Sequence, residues 1–190
     1  AFYHVGYGPR RRAYEIWQKL DGIQSRLPRR TQLSLEGTRA LIGADYDGAQ
    51  RACEALLAEF PRESLERNRL ANTYMRRDRF DRSVEILQEG VRLDPNDHFL
   101  WNQLSFAQVG TGNLAAGLEA NDRCRALRPG DPYPPASRGD LLFLAGRDEE
   151  AFPAYQESLK LGAAPIDYWV HFALAFLYAD QRKFSLAESS

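Results

Sequence analysis

The sequence predicts an all-α protein built as a solenoid of stacked helical hairpins, and three observations carry that prediction. Pro61, Pro95 and Pro129 recur every 34 residues, and a fixed internal period of this size decides the architecture. Stepping by 34 from Gly37 meets Ala71, Ser105 and Gly139, and stepping from Ala49 meets Ser83, Gly117 and Ala151. All eight are small, and each pair lies 12 residues apart, where two antiparallel helices cross and compact side chains let the backbones approach. The third observation is apolar spacing of helical period, as in Leu70 and Tyr74, then Phe80, Val84, Leu87, Val91 and Leu93.

The connections follow the same ruler. "GADYD", "RDRFD", "GTGNL" and "AGRDE" each hold Gly or Asp at or just before the next helix, which suits N-capping and the helix dipole. Pro95 in "VRLDPND" ends the helix that reaches Leu93, because it lacks an N–H and forces Asp94 toward an extended conformation. Gly90 sits inside that helix at a cost of about 1 kcal/mol against Ala, and the expected compensation is close contact with the following hairpin.

Composition excludes several classes. The 190 residues are 44% hydrophobic and 27% charged, which suits a folded chain. Twenty-five Lys and Arg stand against 26 Asp and Glu, so the net charge of −1 gives no footprint for nucleic acid. The basic groups Arg10 to Arg12, Arg29 with Arg30, and Arg76, Arg77, Arg79 and Arg82 therefore read as solvated helix faces. No apolar run reaches the ~20 residues of a membrane span, and the first residues lack the order of a signal peptide. The expected location is the cytoplasm, or a soluble domain of a larger membrane-linked protein. Cys53 and Cys124 have no metal-site spacing and are expected to be reduced, packed thiols.

Little in the chain suggests chemistry. His4, His98 and His171 are far apart, and only His171 has a helical neighbour of ligand type, Asp167, so no metal and no cofactor is expected. "GYGP" and "GTGN" complete no phosphate-binding motif. Asp148, Glu149 and Glu150 suit a helix's first turn, so no catalytic residue is expected and the protein is not read as an enzyme.

"LANTYMRRDRFDRSVEILQEGVRLDPND" and "WNQLSFAQVGTGNLAAGLEANDRCRALRPGD" resemble the tetratricopeptide (TPR) repeat, with Leu-Ala and Tyr in a first helix and small-apolar-Pro in a second. The resemblance implies an all-α, right-handed α-solenoid of TPR helix-turn-helix repeats as a single array over 1–190. Full repeats fall at 30–63, 64–97, 98–131 and 132–165, with a partial repeat and connector at 1–29 and a partial repeat at 166–190. Glu36, Arg67 and Arg138 depart from the pattern at apolar positions. "DPYPPAS" is expected to delay a helix start to near Pro135, and Pro153 to shorten or bend its helix. The stretch 26–61 is more loosely similar to TPR regions of bacterial serine/threonine kinases, cyclases and winged-helix regulators.

The same resemblance implies a concave groove lined by the first helices and open to a protein or peptide partner. Its positions here are Asn68, Asn72, Met75 and Arg76, then Phe99, Asn102, Phe106 and Val109, then Tyr133, Asp140 and Phe143, and last Trp169, Phe172 and Phe176. Phe106, Phe143 and Phe176 can equally be packed between repeats. Asn68, Asn72 and Asn102 resemble part of a clamp for a partner's terminal carboxylate, but Tyr133, Ala136 and Ser137 stand where Lys or Arg would complete it. The expected function is a non-catalytic protein-interaction scaffold, part of a larger bacterial signalling protein. The alternative is homo-oligomerisation through terminal repeats, for which "FALAFLYA" at 172–179 supplies an apolar face.

Overall fold

The structure, a computed structural model, describes residues 20, 22–162 and 170–177, and the chain divides after Pro61 into two compact units. The expectations placed on residues 1–19, Asp167 and Trp169 lie outside the described residues. Unit 1 carries one turn of 3-10 helix at Gln24–Arg26 and the hairpin α1 (Arg29–Ile42) and α2 (Tyr46–Glu59). Unit 2 carries α3 (Ser64–Met75), α4 (Phe80–Leu93), α5 (His98–Gly110), α6 (Leu114–Leu127), α7 (Tyr133–Leu144) and α8 (Asp148–Lys160), and residues 170–177 are also helical. Among the described residues there is no strand. Each odd-numbered helix packs on the even-numbered helix that follows, and within unit 2 α4 packs on α5 and α6 on α7, so the three hairpins of unit 2 stack in chain order as a solenoid.

The eight small positions are all buried, and Ala49, Ala71, Ser83, Ser105 and Ala151 are 0% exposed. Their smallness is used. A Cβ placed on Gly139 of α7 would meet the Tyr155 ring of α8 at 2.5 Å, and one on Gly117 of α6 would meet the Ser105 carbonyl of α5 at 2.9 Å. Leu87, Leu100, Leu104, Ala107 and Ala120 fill the space between the middle hairpins, while Leu142, Tyr155, Val170, Leu174 and Leu177 fill the space beneath α7 and α8.

Every hairpin turn closes in the same way. Ala44, Asp78, Gly112 and Gly146, again 34 residues apart, take positive φ of 57, 56, 84 and 70°. The next residue's N–H then returns to a carbonyl five residues back: Asp45 to Ala40 (2.8 Å), Arg79 to Tyr74 (3.0 Å), Asn113 to Gln108 (3.0 Å) and Arg147 to Leu142 (2.9 Å). This is a Schellman closure, and it satisfies a helix-end carbonyl that would otherwise lack a partner. Side-chain caps are less regular. Asp45, Asp97 and Asn113 accept first-turn N–H groups, whereas Arg79 and Arg147 occupy the cap of α4 and α8 without doing so. There the first-turn carboxylates, Asp81 and then Asp148, Glu149 and Glu150, meet the helix dipole instead.

Two expectations about proline need correction. Helix α7 begins at Tyr133, not near Pro135, because Pro134 and Pro135 occupy first-turn positions whose N–H groups have no helical acceptor. Two buried side chains also hold that turn: Asn121 of α6 donates to the Pro134 carbonyl (3.0 Å) and Ser158 of α8 to the Pro132 carbonyl (2.8 Å). Pro153 does not shorten α8, which runs 13 residues through it; the lost N–H removes a single bond, and Ala151, Ala154 and Tyr155 stay buried around it.

The other departures are absorbed individually. Arg67, 6% exposed, lays its stem against Gly90, where an added Cβ would come within 2.5 Å of its Cδ and 2.9 Å of Leu100 Cδ1. Gly90 therefore meets the following hairpin as expected, and the Arg67 stem fills the apolar slot. Burial lowers the Arg67 pKa, against the opposing pull of Glu89. Arg138 pairs with Asp122 of α6 at 2.8 Å. Glu36 is exposed.

Ser83 Oγ is buried without a hydrogen-bond partner, so Ser83→Ala is expected to raise stability by about 1 kcal/mol. Gly112→Ala, at φ +84° with no atom within 4 Å, tests backbone strain alone and is expected to lower stability by about 1 kcal/mol. Urea unfolding of both variants measures these changes. Cys124 adds a pH dependence. Burial, then the Asp131 carboxylate, pushes its thiol from 9.0 to about 11, and Tyr155 moves upward for the same first reason. The unfolded chain thus releases these protons first. Thermal unfolding followed from pH 8 to 11 should show stability intact below pH 9 and falling between 9 and 11.

Candidate functional site

The sequence-predicted groove positions with described side chains all fall in unit 2; all but Arg76, the C-cap of α3, lie on α3, α5, α7 and the helix at 170–177. Successive first helices touch, α3 with α5 and α5 with α7, while α4 and α6, and α6 and α8, make no comparable contact. Closer spacing on one side of a stack is what curves it, and here the first helices occupy the inner side of unit 2.

The aromatic positions split. Phe99 (67% exposed), Tyr133 (53%), Phe143 (36%), Phe172 (68%) and Phe176 (54%) present rings to solvent. Phe106 and Val109 are half-buried, and Val109 carries the contact that Gly117 requires. Phe143 of α7 and Phe176 meet edge to face with centroids 5.7 Å apart, joining the two helices at the surface, while Phe99 leans on the His98 ring at 4.1 Å.

The polar positions are partly engaged with each other. Asn72 Nδ2 donates to Asn68 Oδ1 (2.7 Å) and to the Asn68 carbonyl (3.0 Å), so two half-buried amides one turn apart form a single unit on α3. Met75 and Asn102 are half-buried and Arg76 is exposed. Asp140, half-buried on α7, accepts from the Tyr155 hydroxyl at 2.7 Å. Sequence reasoning missed Tyr155, which lies 15 residues away on the other helix of the hairpin and reads simply as core. Among the described residues no three His, Cys, Asp or Glu side chains could hold a metal ion. No described helix is long and apolar enough to cross a membrane.

Unit 1 has its own open cavity of about 570 Å³ between α1 and α2. Arg29, Arg39 and Arg51 share its lining with Glu36, Asp45 and small apolar residues, and Arg29 reaches Glu59 at 3.4 Å, so its walls favour neither sign of charge.

Residues 40–105 match the family model described as tetratricopeptide repeat. The chain is 27% identical over 147 residues to U-box domain-containing protein 70 of Oryza sativa subsp. japonica; the match takes in 64% of this chain and 18% of that protein, so this chain spans about a fifth of that relative's length. Among solved structures it is similar to TTC0263, a thermophilic TPR protein of Thermus thermophilus (TM-score 0.71, 17% identity, 83% of this chain and 85% of that one). It is also similar to MamA (TM-score 0.62, 21% identity, 84% of each chain). Identities this low carry the fold alone. The repeated hairpins, the matched segment and the shared fold agree: residues 40–105 match the tetratricopeptide repeat, and the described residues have the all-α solenoid fold of the TPR structures they resemble.

Proposed function

We propose that the protein is a non-catalytic scaffold that holds an extended peptide or a partner helix against the inner side of unit 2. The observation that supports this most directly is the row of touching first helices, with the Asn68–Asn72 amide pair at α3 and exposed rings at α5, α7 and 170–177. Amides satisfy a peptide backbone, and exposed rings anchor apolar side chains at low entropic cost. The placement of the repeats at 30–63, 64–97, 98–131 and 132–165 as a single array, within a larger bacterial signalling protein, forms part of the same proposal and rests on the sequence resemblance.

A library of labelled decapeptides, screened by fluorescence anisotropy on the whole chain, tests the groove. Asn72→Ala and Phe99→Ala are each expected to weaken the best binders about tenfold, the usual size for losing one anchor, with helical circular dichroism unchanged. Unchanged affinity in both folded variants would remove the groove. A second proposed reading is self-association: Phe172 and Phe176 expose an apolar strip of the kind that pairs with a second copy. Phe172→Asp with Phe176→Asp is then expected to lower a light-scattering mass that exceeds the monomer's 21.6 kDa; a monomeric mass at high concentration for the unaltered chain ends this reading.

A further inference from the structure

The first helices of unit 2 differ from the second helices in what they show to solvent. Along α3, α5 and α7 the exposed side chains are Leu65, then Phe99, then Tyr133, Phe143 and Leu144, and none is charged. Helix α4 alone exposes Asp81, Arg82, Glu85 and Arg92, in a chain that is 27% charged. Leu65, Phe99 and Tyr133 are 57%, 67% and 53% exposed, and each lies in the first turn of its helix. They stand 34 residues apart, so the repeat sets them in one row. Each step of that row is one helix width, because α3 touches α5 and α5 touches α7, and packed helices lie about 8–10 Å apart. One turn further along are the amides of Asn68 and Asn102, both half-buried. Asn72 takes the Asn68 side-chain oxygen at 2.7 Å, which leaves the Asn68 Nδ2 donors for a carbonyl from outside.

We infer that this row receives an uncharged segment in the polyproline II conformation, with an apolar side chain, proline included, at every third position. The inference rests on the groove reading and deepens it. Polyproline II turns once in three residues and rises about 9 Å in that turn, so every third side chain returns to one face at the spacing of the helices. A β-strand does not match this step, since the third residue along points to the opposite face. An α-helix covers it only with residues about seven apart, and its backbone is satisfied internally, so the amides would go unused. The polyproline backbone is the reverse case: its carbonyls are unpaired, and proline brings an acceptor without a donor, which suits the Asn68 and Asn102 amino groups. Charge completes the selection. A charged side chain set against Leu65, Phe99 or Tyr133 would lose water and gain no opposite charge. The half-buried His98, Arg138 and Asp140 of these helices are already engaged, with Arg128, Asp122 and Tyr155.

Fluorescence anisotropy on the full 190-residue chain tests this with two labelled decapeptides of one composition. The first holds Leu at every third position with Pro between; the second has the same Leu residues bunched at one end. The spaced peptide is expected to bind about tenfold tighter, the size of one lost anchor, with little change between low and physiological salt. Replacing one inner Leu by Asp or by Lys should cost a similar factor for either sign of charge. Phe99→Ala and Tyr133→Ala, both at exposed rings, should leave helical circular dichroism unchanged and bring the spaced-to-bunched affinity ratio close to one. Equal binding of the two peptides, or a ratio that survives both substitutions, would overturn this inference and leave the groove standing. Tighter binding of an Ala-rich helical peptide with Leu about seven apart would do the same. So would failure of both proline peptides while members of the unbiased decapeptide library bind. If neither the proline peptides nor the library binds, the groove and this inference fall together.

Discussion

Close backbone approach at eight compact side chains is the constraint on which the rest of the molecule depends. Where Gly139 faces Tyr155, the missing Cβ lets a large ring lie flat on a helix backbone, and that ring then carries its hydroxyl to Asp140. Where Gly90 faces Arg67, the same economy of volume lets a guanidinium side chain stand in for an apolar one. The small residues do not stabilise by what they contact; they set how near the helices come, and the larger residues around them convert that nearness into buried area.

Packing alone leaves a hairpin free to slide, and the turns remove that freedom. One left-handed residue per turn, at Ala44, Asp78, Gly112 and Gly146, lets the chain reverse with a hydrogen bond back to a carbonyl five residues earlier. Ala44 and Asp78 adopt the conformation despite their Cβ, so the closure outweighs the steric cost at those two positions. The first helices of unit 2 then fall side by side, α3 against α5 and α5 against α7.

Much of this was legible in the sequence, because the Pro period and the small positions are set by backbone geometry and cannot be hidden by surface drift. The turn lock was half visible: Gly112 and Gly146 announce a left-handed residue, and Ala44 and Asp78 do not. Proline at Pro134 and Pro135 misled, since a missing N–H matters only where a helical bond would have used it, and buried bonds from Asn121 and Ser158 hold the turn from outside; at Pro153 the one lost bond is outweighed by the burial of Ala151, Ala154 and Tyr155 around it. The exposure of Phe143 and Phe176 was undecidable from spacing, because rings on the inner side and rings between hairpins recur with the same period. The Tyr155–Asp140 bond had no sequence signal at all, as it joins two helices at a separation that reflects the hairpin rather than any motif.

The turn closure has one further implication. Its bonds lie wholly within a hairpin's own few residues, so a hairpin carries its geometry with it and can be gained, lost or duplicated as a cassette without disturbing the register of the others. Chains built this way lengthen or shorten in whole steps of one hairpin, each step bringing its own closed turn.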